Sequence, residues 1–282
     1  MLIYETQVAL KEHLSPLKSE GKTIGLVPTM GAIHEGHLSL INQALLENDV
    51  VVVSIFVNPT QFNNANDLEK YPRTLERDVA LIEKLSNKVI VFTPSVTDIY
   101  EENTVAQIFS YNGLEDQMEG ANRPGHFNGV GTIVKKLFEI VTPTKAYFGE
   151  KDFQQLQIIR NMTAQFNLPV EIIGCPIFRQ ADGLAMSSRN ELLSEEAKKE
   201  AVKINQIMLQ AKDLFQSKTI KEVIEFVEKE FRKNNNFELE YFEIADEKTL
   251  KSAAIKEEGA KYRGFVVAHL DNVRLIDNIS LN

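Results

Sequence analysis

The stretch TIGLVPTMGAIHEGH, Thr23 to His37, joins a short apolar segment to two glycines and two histidines, and a helix-like pattern follows it. The apolar part is typical of a buried strand in a parallel sheet. Glycines let a main chain approach a ligand closely, and a helix start offers unpaired backbone N–H groups at the positive end of its dipole. The stretch therefore predicts a strand-to-helix connection that binds an anion.

The two histidines of this stretch are three residues apart, so near a helix start His34 and His37 fall on one face. Both imidazoles can then donate hydrogen bonds to a polyphosphate. A zinc site would need a third ligand, and no nearby cysteine or spaced acid completes a familiar pattern. A turn with two incidental histidines stays open as the ordinary alternative.

Four more short apolar segments follow at intervals, at residues 51–58, 88–94, 145–149 and 170–175. The segments between them, such as 37–49, 74–86 and 130–141, have the apolar spacing of amphipathic helices. This alternation predicts an α/β fold whose parallel sheet is covered on both faces and binds ligands beyond the carboxyl ends of its strands.

The pattern changes near residue 176. One long helix is predicted over 194–216, with Ser194 as its N-cap, and a second helix follows at 219–233. Alternating residues at 237–246 and 263–281, with an internal Asp-Asn turn, predict antiparallel strands. We therefore expect two domains, a parallel α/β domain over 1–176 and a smaller α+β domain over 177–282.

Composition limits the functional classes. The 282 residues carry a net charge of −9, which disfavours a general nucleic-acid binder but allows a local cationic site for a small anion. No apolar run has the length of a membrane span, and the N-terminus lacks an export signal, so a cytoplasmic protein is expected. The single Cys175 excludes an internal disulfide and, in its apolar surroundings, predicts a buried inert thiol.

Polar clusters follow other predicted strands. VNPTQF (57–62) brings Asn58 and Gln61 to the end of one strand, and YFGEKDFQQLQ (147–157) brings a lysine and three glutamines to the end of another. The loops EGANRPGHFNGVGT (119–132) and DGLAMSSRNELLSEE (182–196) are candidates for a flexible binding loop and a phosphate-binding loop. Taken singly, each cluster also fits an ordinary connection, and the serines of 182–196 also fit a polar loop whose serines cap a helix.

Six motifs in order, PTMGAIHEGH, SIFVNPTQF, YPRTLERD, GANRPGHFNGV, YFGEKDFQQL and DGLAMSSRN, resemble the pantothenate synthetase (pantoate–β-alanine ligase) family from about residue 23 to 194. The resemblance implies a Rossmann-like domain of the nucleotidyltransferase (HIGH) type with a smaller C-terminal lid domain, in a homodimer. It implies that pantoate, ATP and β-alanine are the substrates, with Mg²⁺ present, and that no nucleic acid or membrane takes part. Pantoate and ATP would form a pantoyl adenylate and pyrophosphate, and β-alanine would then give pantothenate and AMP.

Residue roles follow from the same resemblance. It implies catalytic roles for His37 as proton donor, for His34, and for Lys151 and Arg189. Gln61 would contact pantoate and β-alanine, Gln155 would hold pantoate, and Asp78 would support the metal region. The implied ATP contacts are Met30, Gly31, Ala32, Ile33, His34, Glu35, Gly36, His37, Gly149, Glu150, Lys151, Asp152, Phe178, Met186, Ser187, Ser188 and Arg189.

Three positions depart from the family pattern. Phe178 is bulkier than a small aliphatic residue, so the resemblance implies only a backbone contact there. The phosphate loop MSSRN lacks the lysine of the wider superfamily, so Arg189 must supply the positive charge of this loop. Arg77 occupies a position where the family pattern suggests an acidic residue. Rival functions are a nucleotidyltransferase acting on a phosphorylated metabolite, a relative of aminoacyl-tRNA synthetases, and a nucleotide sensor.

Overall fold

A computed structural model describes residues 1–282, apart from the side chains of Ala65 and Asp67. The chain folds into two compact units. The first comprises Met1–Glu150 and Gln154–Pro176, and the second comprises Lys151–Phe153 and Ile177–Asn282. The three residues that follow Glu150 thus group with the C-terminal part of the chain.

The first unit is built on a six-stranded sheet in which every paired neighbour is parallel. Its spatial order is β1-β4-β3-β2-β5-β6. The strands are β1 (Leu2–Tyr4), β2 (Ile24–Thr29), β3 (Val50–Ile55), β4 (Ile90–Phe92), β5 (Lys145–Gly149) and β6 (Glu171–Cys175). The predicted parallel α/β fold is confirmed.

Helices connect these strands. They are α1 (Gln7–Ser19), α2 (Glu35–Glu47), α3 (Ala65–Lys70), α4 (Leu75–Leu85), α5 (Val96–Tyr100), α6 (Met118–Asn122), α7 (His126–Val141) and α8 (Phe153–Gln165). Short 3₁₀ turns lie at Pro59–Gln61, Leu114–Asp116 and Glu150–Asp152. None of the helices described in the chain is long and apolar enough to cross a membrane.

The core of the first unit explains why the strands are continuous apolar runs. Val27, Val53 and Val91 from adjacent strands are fully buried, and Ile41 of α2 and Ile82 of α4 pack in the same cluster. Strands covered on both faces have no solvent side to alternate with. The carboxyl ends of β2, β3 and β5 are therefore the places where the chain passes into polar connections.

The second unit contains two helices and an antiparallel sheet of order β7-β8-β9. Its elements are a 3₁₀ turn at Ser188–Leu192, α9 (Glu195–Phe215), α10 (Ile220–Arg232), β7 (Phe237–Asp246), β8 (Tyr262–Leu270) and β9 (Val273–Ser280). Ser194 caps α9 by accepting from the Ala197 N–H, as predicted. Asp271 and Asn272 both have positive φ, as a tight hairpin turn requires. The predicted α+β character is confirmed.

Candidate active site

The connection from β2 to α2 is a strained turn held from a distant helix. Gly31 and Ala32 have φ of 84° and 49°, which only the glycine adopts without cost. The buried carboxylate of Asp78 in α4 accepts hydrogen bonds from the backbone N–H of Ala32 at 2.9 Å and of Ile33 at 2.8 Å. The Thr74 hydroxyl donates to the same carboxylate at 3.1 Å. The turn is therefore fixed by α4.

The two histidines lie together at the start of α2. His34 is the N-cap, and its Nδ1 accepts the Gly36 N–H at 3.1 Å. The rings of His34 and His37 stack with centroids 4.0 Å apart and planes 25° apart. Because Nδ1 of His34 is an acceptor, the neutral ring carries its proton on Nε2. Paired imidazoles at the positive end of a helix dipole suit a bound anion.

Asn58 organises the turn that follows β3. Its Nδ2 donates to Gln61 Oε1 at 3.1 Å and to the Gly129 carbonyl at 3.1 Å. The Tyr100 hydroxyl donates to Asn58 Oδ1 at 2.6 Å, which fixes which end of the amide faces Gln61. Burial raises the pKa of Tyr100, so the phenol stays a donor. Gln61 Nε2 in turn points at Met30 Sδ, 2.9 Å away, so the Gln61 turn and the Met30 turn lie side by side.

Helix α7 supports the Gln61 turn from its other side. His126 is buried, and its Nδ1 lies 2.8 Å from the Gln61 carbonyl oxygen. Gly129 lets the helix approach so closely that a Cβ there would lie 2.3 Å from the Thr60 carbonyl oxygen. The motif GANRPGHFNGV, interpreted from sequence as a binding loop, thus carries at least two residues that position Gln61.

The glutamines of α8 divide into different roles. Gln154 is buried, and its Nε2 donates to the carbonyls of Leu114 at 2.9 Å and Gln117 at 2.8 Å. Its Oε1 accepts from the Glu119 N–H at 3.0 Å. Protein groups therefore occupy both ends of the Gln154 amide, so this glutamine of the 147–157 cluster does not offer its amide to a ligand. Gln155, the residue assigned to pantoate, is the partly exposed neighbour.

In the second unit, Lys151 lies in the 3₁₀ turn before α8 rather than in the helix itself. Its backbone carbonyl accepts the Asn278 Nδ2–H at 2.8 Å. A lysine at this point avoids the first α-helical turn, where its charge would oppose the dipole. Gly149 ends β5, and a Cβ added there would meet no atom within 4 Å apart from its chain neighbours. Glu150 and Asp152 flank the lysine.

The other candidate nucleotide loop is also in the second unit. Ser187 Oγ accepts the Arg189 N–H at 3.3 Å, so this serine caps the 3₁₀ turn over Ser188–Leu192. Phe178 exposes 40% of its surface, and its carbonyl accepts the Met186 N–H at 3.0 Å. Ser187 therefore serves as a helix cap, which is the ordinary alternative considered for this loop. Three other residues of the loop are partly exposed: Met186, Ser188 and Arg189.

The described side chains do not form a protein-built metal cage. They contain no group of three or more His, Cys, Asp or Glu residues placed to hold an ion. The Asp78 carboxylate already accepts three hydrogen bonds, so it holds the turn at Ala32 and Ile33 and does not fit a magnesium ligand set. Magnesium usually keeps several waters and binds substrate phosphates, a mode that needs no such cage.

Known proteins resemble this chain along its full length. The family model described as pantoate-beta-alanine ligase matches residues 2–280. Pantothenate synthetases of Flavobacterium psychrophilum and Christiangramia forsetii are 55% and 53% identical, each over all of both chains.

Solved structures give the same answer. A crystal structure of pantothenate synthetase from Thermus thermophilus has a TM-score of 0.92 and 39% identity, covering 100% of this chain and 99% of that one. Pantoate-beta-alanine ligase from Francisella tularensis, complexed with beta-gamma ATP and beta-alanine, has a TM-score of 0.82 and 37% identity over 100% and 98%. The structural neighbours have the nucleotidyltransferase fold expected from the motifs. With its paired histidines on the β2–α2 turn and its match running from end to end, this chain belongs to the pantoate–β-alanine ligase family.

Proposed function

We propose that this chain uses ATP to condense pantoate with β-alanine, releasing AMP and pyrophosphate, in the biosynthesis of pantothenate and coenzyme A. The observation that carries the proposal is the stacked pair His34 and His37 at the start of α2, in a chain that belongs to this family. Such an arrangement offers N–H donors and a positive dipole end to phosphate oxygens.

The first step joins two anions. A pantoate carboxylate oxygen attacks the α-phosphorus of ATP, the new O–P bond forms, and the bond to pyrophosphate breaks. Charge then accumulates on the phosphate oxygens and on the leaving group, so aimed cations and N–H donors lower the barrier. We assign this role to His34 and His37 in the first unit and to Lys151 and Arg189 in the second, with His37 donating a proton.

The second step forms the amide. The neutral amine of β-alanine attacks the acyl carbon, the C–N bond forms, the C–O bond to AMP breaks, and the amine loses its proton. Gln61 is assigned to pantoate and β-alanine, and Gln155 to pantoate. Amides suit this task because they bind hydroxyl and carboxylate oxygens without adding charge. The fixed Asn58–Gln61 contact supports alignment, which contributes much of the rate in such condensations.

The nucleotide contacts are proposed for the turns already described. Met30 to His37 would follow the phosphates with their backbone, and Gly149 to Asp152, the Phe178 backbone and Met186 to Arg189 would contact ATP. Magnesium is proposed to arrive with ATP and to neutralise phosphate charge. The cations assigned here would form a local positive site, so a chain with a net charge of −9 can still bind an anionic substrate.

Assembly and location complete the proposal. We expect a homodimer, as the resemblance to the family implies. Sedimentation of the purified protein should give the mass of two chains, and a monomer at all concentrations would exclude this assembly. The second unit is proposed to act as a lid, and the cytoplasm, where ATP is abundant, is the proposed location.

Pyrophosphate release tests the activity. With ATP and Mg²⁺, release should require pantoate, and later addition of β-alanine should yield AMP and pantothenate. Retention of the nucleotide on the product would indicate the rival transferase, and ATP binding without turnover would indicate a sensor. Binding and retention of tRNA would favour a synthetase relative instead.

The His37 assignment is tested in the same assay. His37→Ala should lower single-turnover adenylation by ~10²–10³, the scale of losing one aimed donor. His13→Ala is the matched control, since His13 lies in α1 and packs its ring on Tyr4, 5.2 Å away. Wild-type adenylation by His37→Ala would overturn the assignment.

A further inference from the structure

Two adjacent residues near the end of β9 each hold a different segment of the second unit. Asp277 and Asn278 are both almost fully buried. Successive side chains of a strand point to opposite faces of its sheet, so neighbours can serve two partners. One of these partners is the segment that contains Lys151, and the other leads into the loop that contains Arg189.

Asn278 fixes Lys151 through the backbone. Its Nδ2 donates to the Lys151 carbonyl at 2.8 Å, while its Oδ1 accepts from Arg263 Nη1 at 2.6 Å. The arginine therefore determines which end of the amide faces the lysine. Arg263 is itself held by Glu247, whose carboxylate lies 2.9 Å from Nε.

Phe153 gives the same segment a second attachment. The Arg263 guanidinium lies 3.9 Å above the Phe153 ring, and the Phe265 ring packs with its centroid 6.1 Å away. The two attachment points of the segment are the Lys151 carbonyl and the Phe153 ring, and Asp152 lies between them. The cation–π contact of Arg263 with Phe153 and the hydrogen bonds from Arg263 to Asn278 and from Asn278 to the Lys151 carbonyl restrict this short turn.

Asp277 fixes the other segment. Its carboxylate accepts two hydrogen bonds from Arg179, at 2.7 Å from Nη1 and 2.9 Å from Nη2. Arg179 also donates to the Gly183 carbonyl at 3.2 Å and forms an antiparallel bridge with Ala185. Residue 186 follows directly, so this ion pair sets where the Met186–Arg189 loop begins.

We propose that Asp277 and Asn278 are positioning residues that aim the cationic groups of Lys151 and Arg189 at the phosphates of ATP. The inference rests on the roles assigned to these two cations under the proposed function. A residue that only stabilised the sheet would change the free energy of unfolding and leave the Michaelis constant for ATP unaltered. The two possibilities therefore separate in kinetics.

The test begins with Asn278→Ala, which removes the donor to the Lys151 carbonyl. Losing a buried hydrogen bond that orients the segment should raise KM for ATP, or lower single-turnover adenylation, by about 10-fold. KM for β-alanine should stay unchanged. Asn282→Ala is the matched control, because Asn282 Nδ2 donates to the Ala260 carbonyl of the same unit rather than to the Lys151 segment. Unchanged adenylation and KM for ATP in Asn278→Ala would overturn the inference.

Two further variants keep the test decisive. Asn278→Asp retains the acceptor for Arg263 and replaces the donor by a charged oxygen that faces the Lys151 carbonyl, so it replaces the alanine variant if that protein fails to fold. Asp277→Asn weakens the bidentate pair with Arg179 and should impair ATP use in the same direction. Normal ATP kinetics in these folded variants would leave Asp277 and Asn278 as purely structural residues and contradict the proposal.

Lys151→Met separates failure of the inference from failure of the proposed function. If Lys151→Met is indistinguishable from wild type with ATP, the assigned role of the lysine is wrong. If Lys151→Met is impaired and Asn278→Ala is not, only the positioning inference is wrong. In the combined variant, the effect of Asn278→Ala should shrink to less than about 2-fold, because coupled residues are not additive.

Discussion

The carboxylate of Asp78 lies 2.8 Å from the backbone nitrogen of Ile33, and this contact joins α4 to the turn that presents the paired histidines. The other carboxylate oxygen accepts a hydrogen bond from the backbone N–H of Ala32, whose φ is positive. A strained backbone of this kind persists only where its surroundings over-determine it. Asp78 is therefore a structural determinant of the candidate site.

Asp78→Asn should lower both stability and adenylation rate. The asparagine amide has only one oxygen to accept from the two N–H groups of the turn. The other buried N–H would face the NH₂ group, at a cost of about 1–3 kcal/mol in the free energy of unfolding. Thermal unfolding and single-turnover adenylation measure the two effects. Asp98→Asn is the control, since Asp98 accepts the Gln7 N–H at 3.0 Å away from this turn. Unaltered adenylation in Asp78→Asn would contradict the structural role.

Gly129→Ala should displace the Gln61 turn. The added Cβ would lie 2.3 Å from the Thr60 carbonyl oxygen and 2.5 Å from Gln61 Cα, so α7 or the turn must move. We expect a higher KM for pantoate together with a lower melting temperature. Gly21→Ala is the control. Its φ of 77° makes alanine destabilising at this position, yet an added Cβ would meet no atom within 4 Å. Residue 21 is also far from Gln61 along the chain. Equal pantoate kinetics in both variants would count against the supporting role of α7.

Gln155→Ala should weaken pantoate binding far more than ATP binding, because the amide is assigned to the pantoate oxygens. Losing such hydrogen bonds should raise KM for pantoate by roughly 10-fold. Gln165→Ala, near the end of the same helix, removes an amide that donates to the Ser110 carbonyl and serves as the control. Comparable losses for ATP and pantoate would refute the assignment.

Cys175 should resist alkylation in the folded protein. The thiol is buried, as predicted, and burial, followed by the charges of Glu47 and Glu150, raises its pKa to about 11. At pH 8 the folded thiol is then roughly a thousandth ionised, against about a quarter in an unfolded chain. Iodoacetamide should react at least about 100-fold more slowly with native than with denatured protein. Equal rates would show that the thiol is accessible and ionised.

Glu222 should make the stability of the second unit depend on acid pH. Hydrogen bonds from the Thr219 backbone and hydroxyl, and from Lys218, lower the pKa of this carboxyl from 4.5 to about 2. A depressed folded pKa means that the carboxylate stabilises the native state above pH 4.5 and loses that effect as the pH falls towards 2. The difference in unfolding free energy between wild type and Glu222→Gln should shrink over this range. Glu225→Gln, whose ion pair with Lys221 is exposed at 3.8 Å, is the control.

The parts of the fold that depend on local pattern were predictable. Buried strands such as β2 and β5 are continuous apolar runs, and α9 begins at the Ser194 cap that its sequence indicates. Boundaries shifted where side chains intervene. Helix α2 begins at Glu35 rather than near residue 37, because His34 serves as an N-cap, a role more common for Ser, Thr, Asp or Asn.

The contacts that aim the site residues were not predictable from local pattern. Asp78 reaches Ile33 across 45 residues, and Asn278 reaches Lys151 across 127 residues. No periodicity or capping rule marks such pairs, because they arise from tertiary packing. The motifs include Asp78 of α4 and both His126 and Gly129 of α7, but nothing in the motifs shows which turns these residues hold. Asp277 and Asn278 of β9 lie outside every motif.

Cutting the chain at Pro176 would divide the second unit between the two fragments. The tripeptide Lys151–Phe153 groups with the C-terminal unit, so the N-terminal fragment would retain Phe153 while lacking Arg263 and Phe265, between which the ring packs. An orphaned aromatic side chain would then meet solvent beside the lysine assigned to ATP. Nucleotide titrations on truncated protein would therefore report a misassembled turn, and ligand screening against this enzyme should use the intact polypeptide.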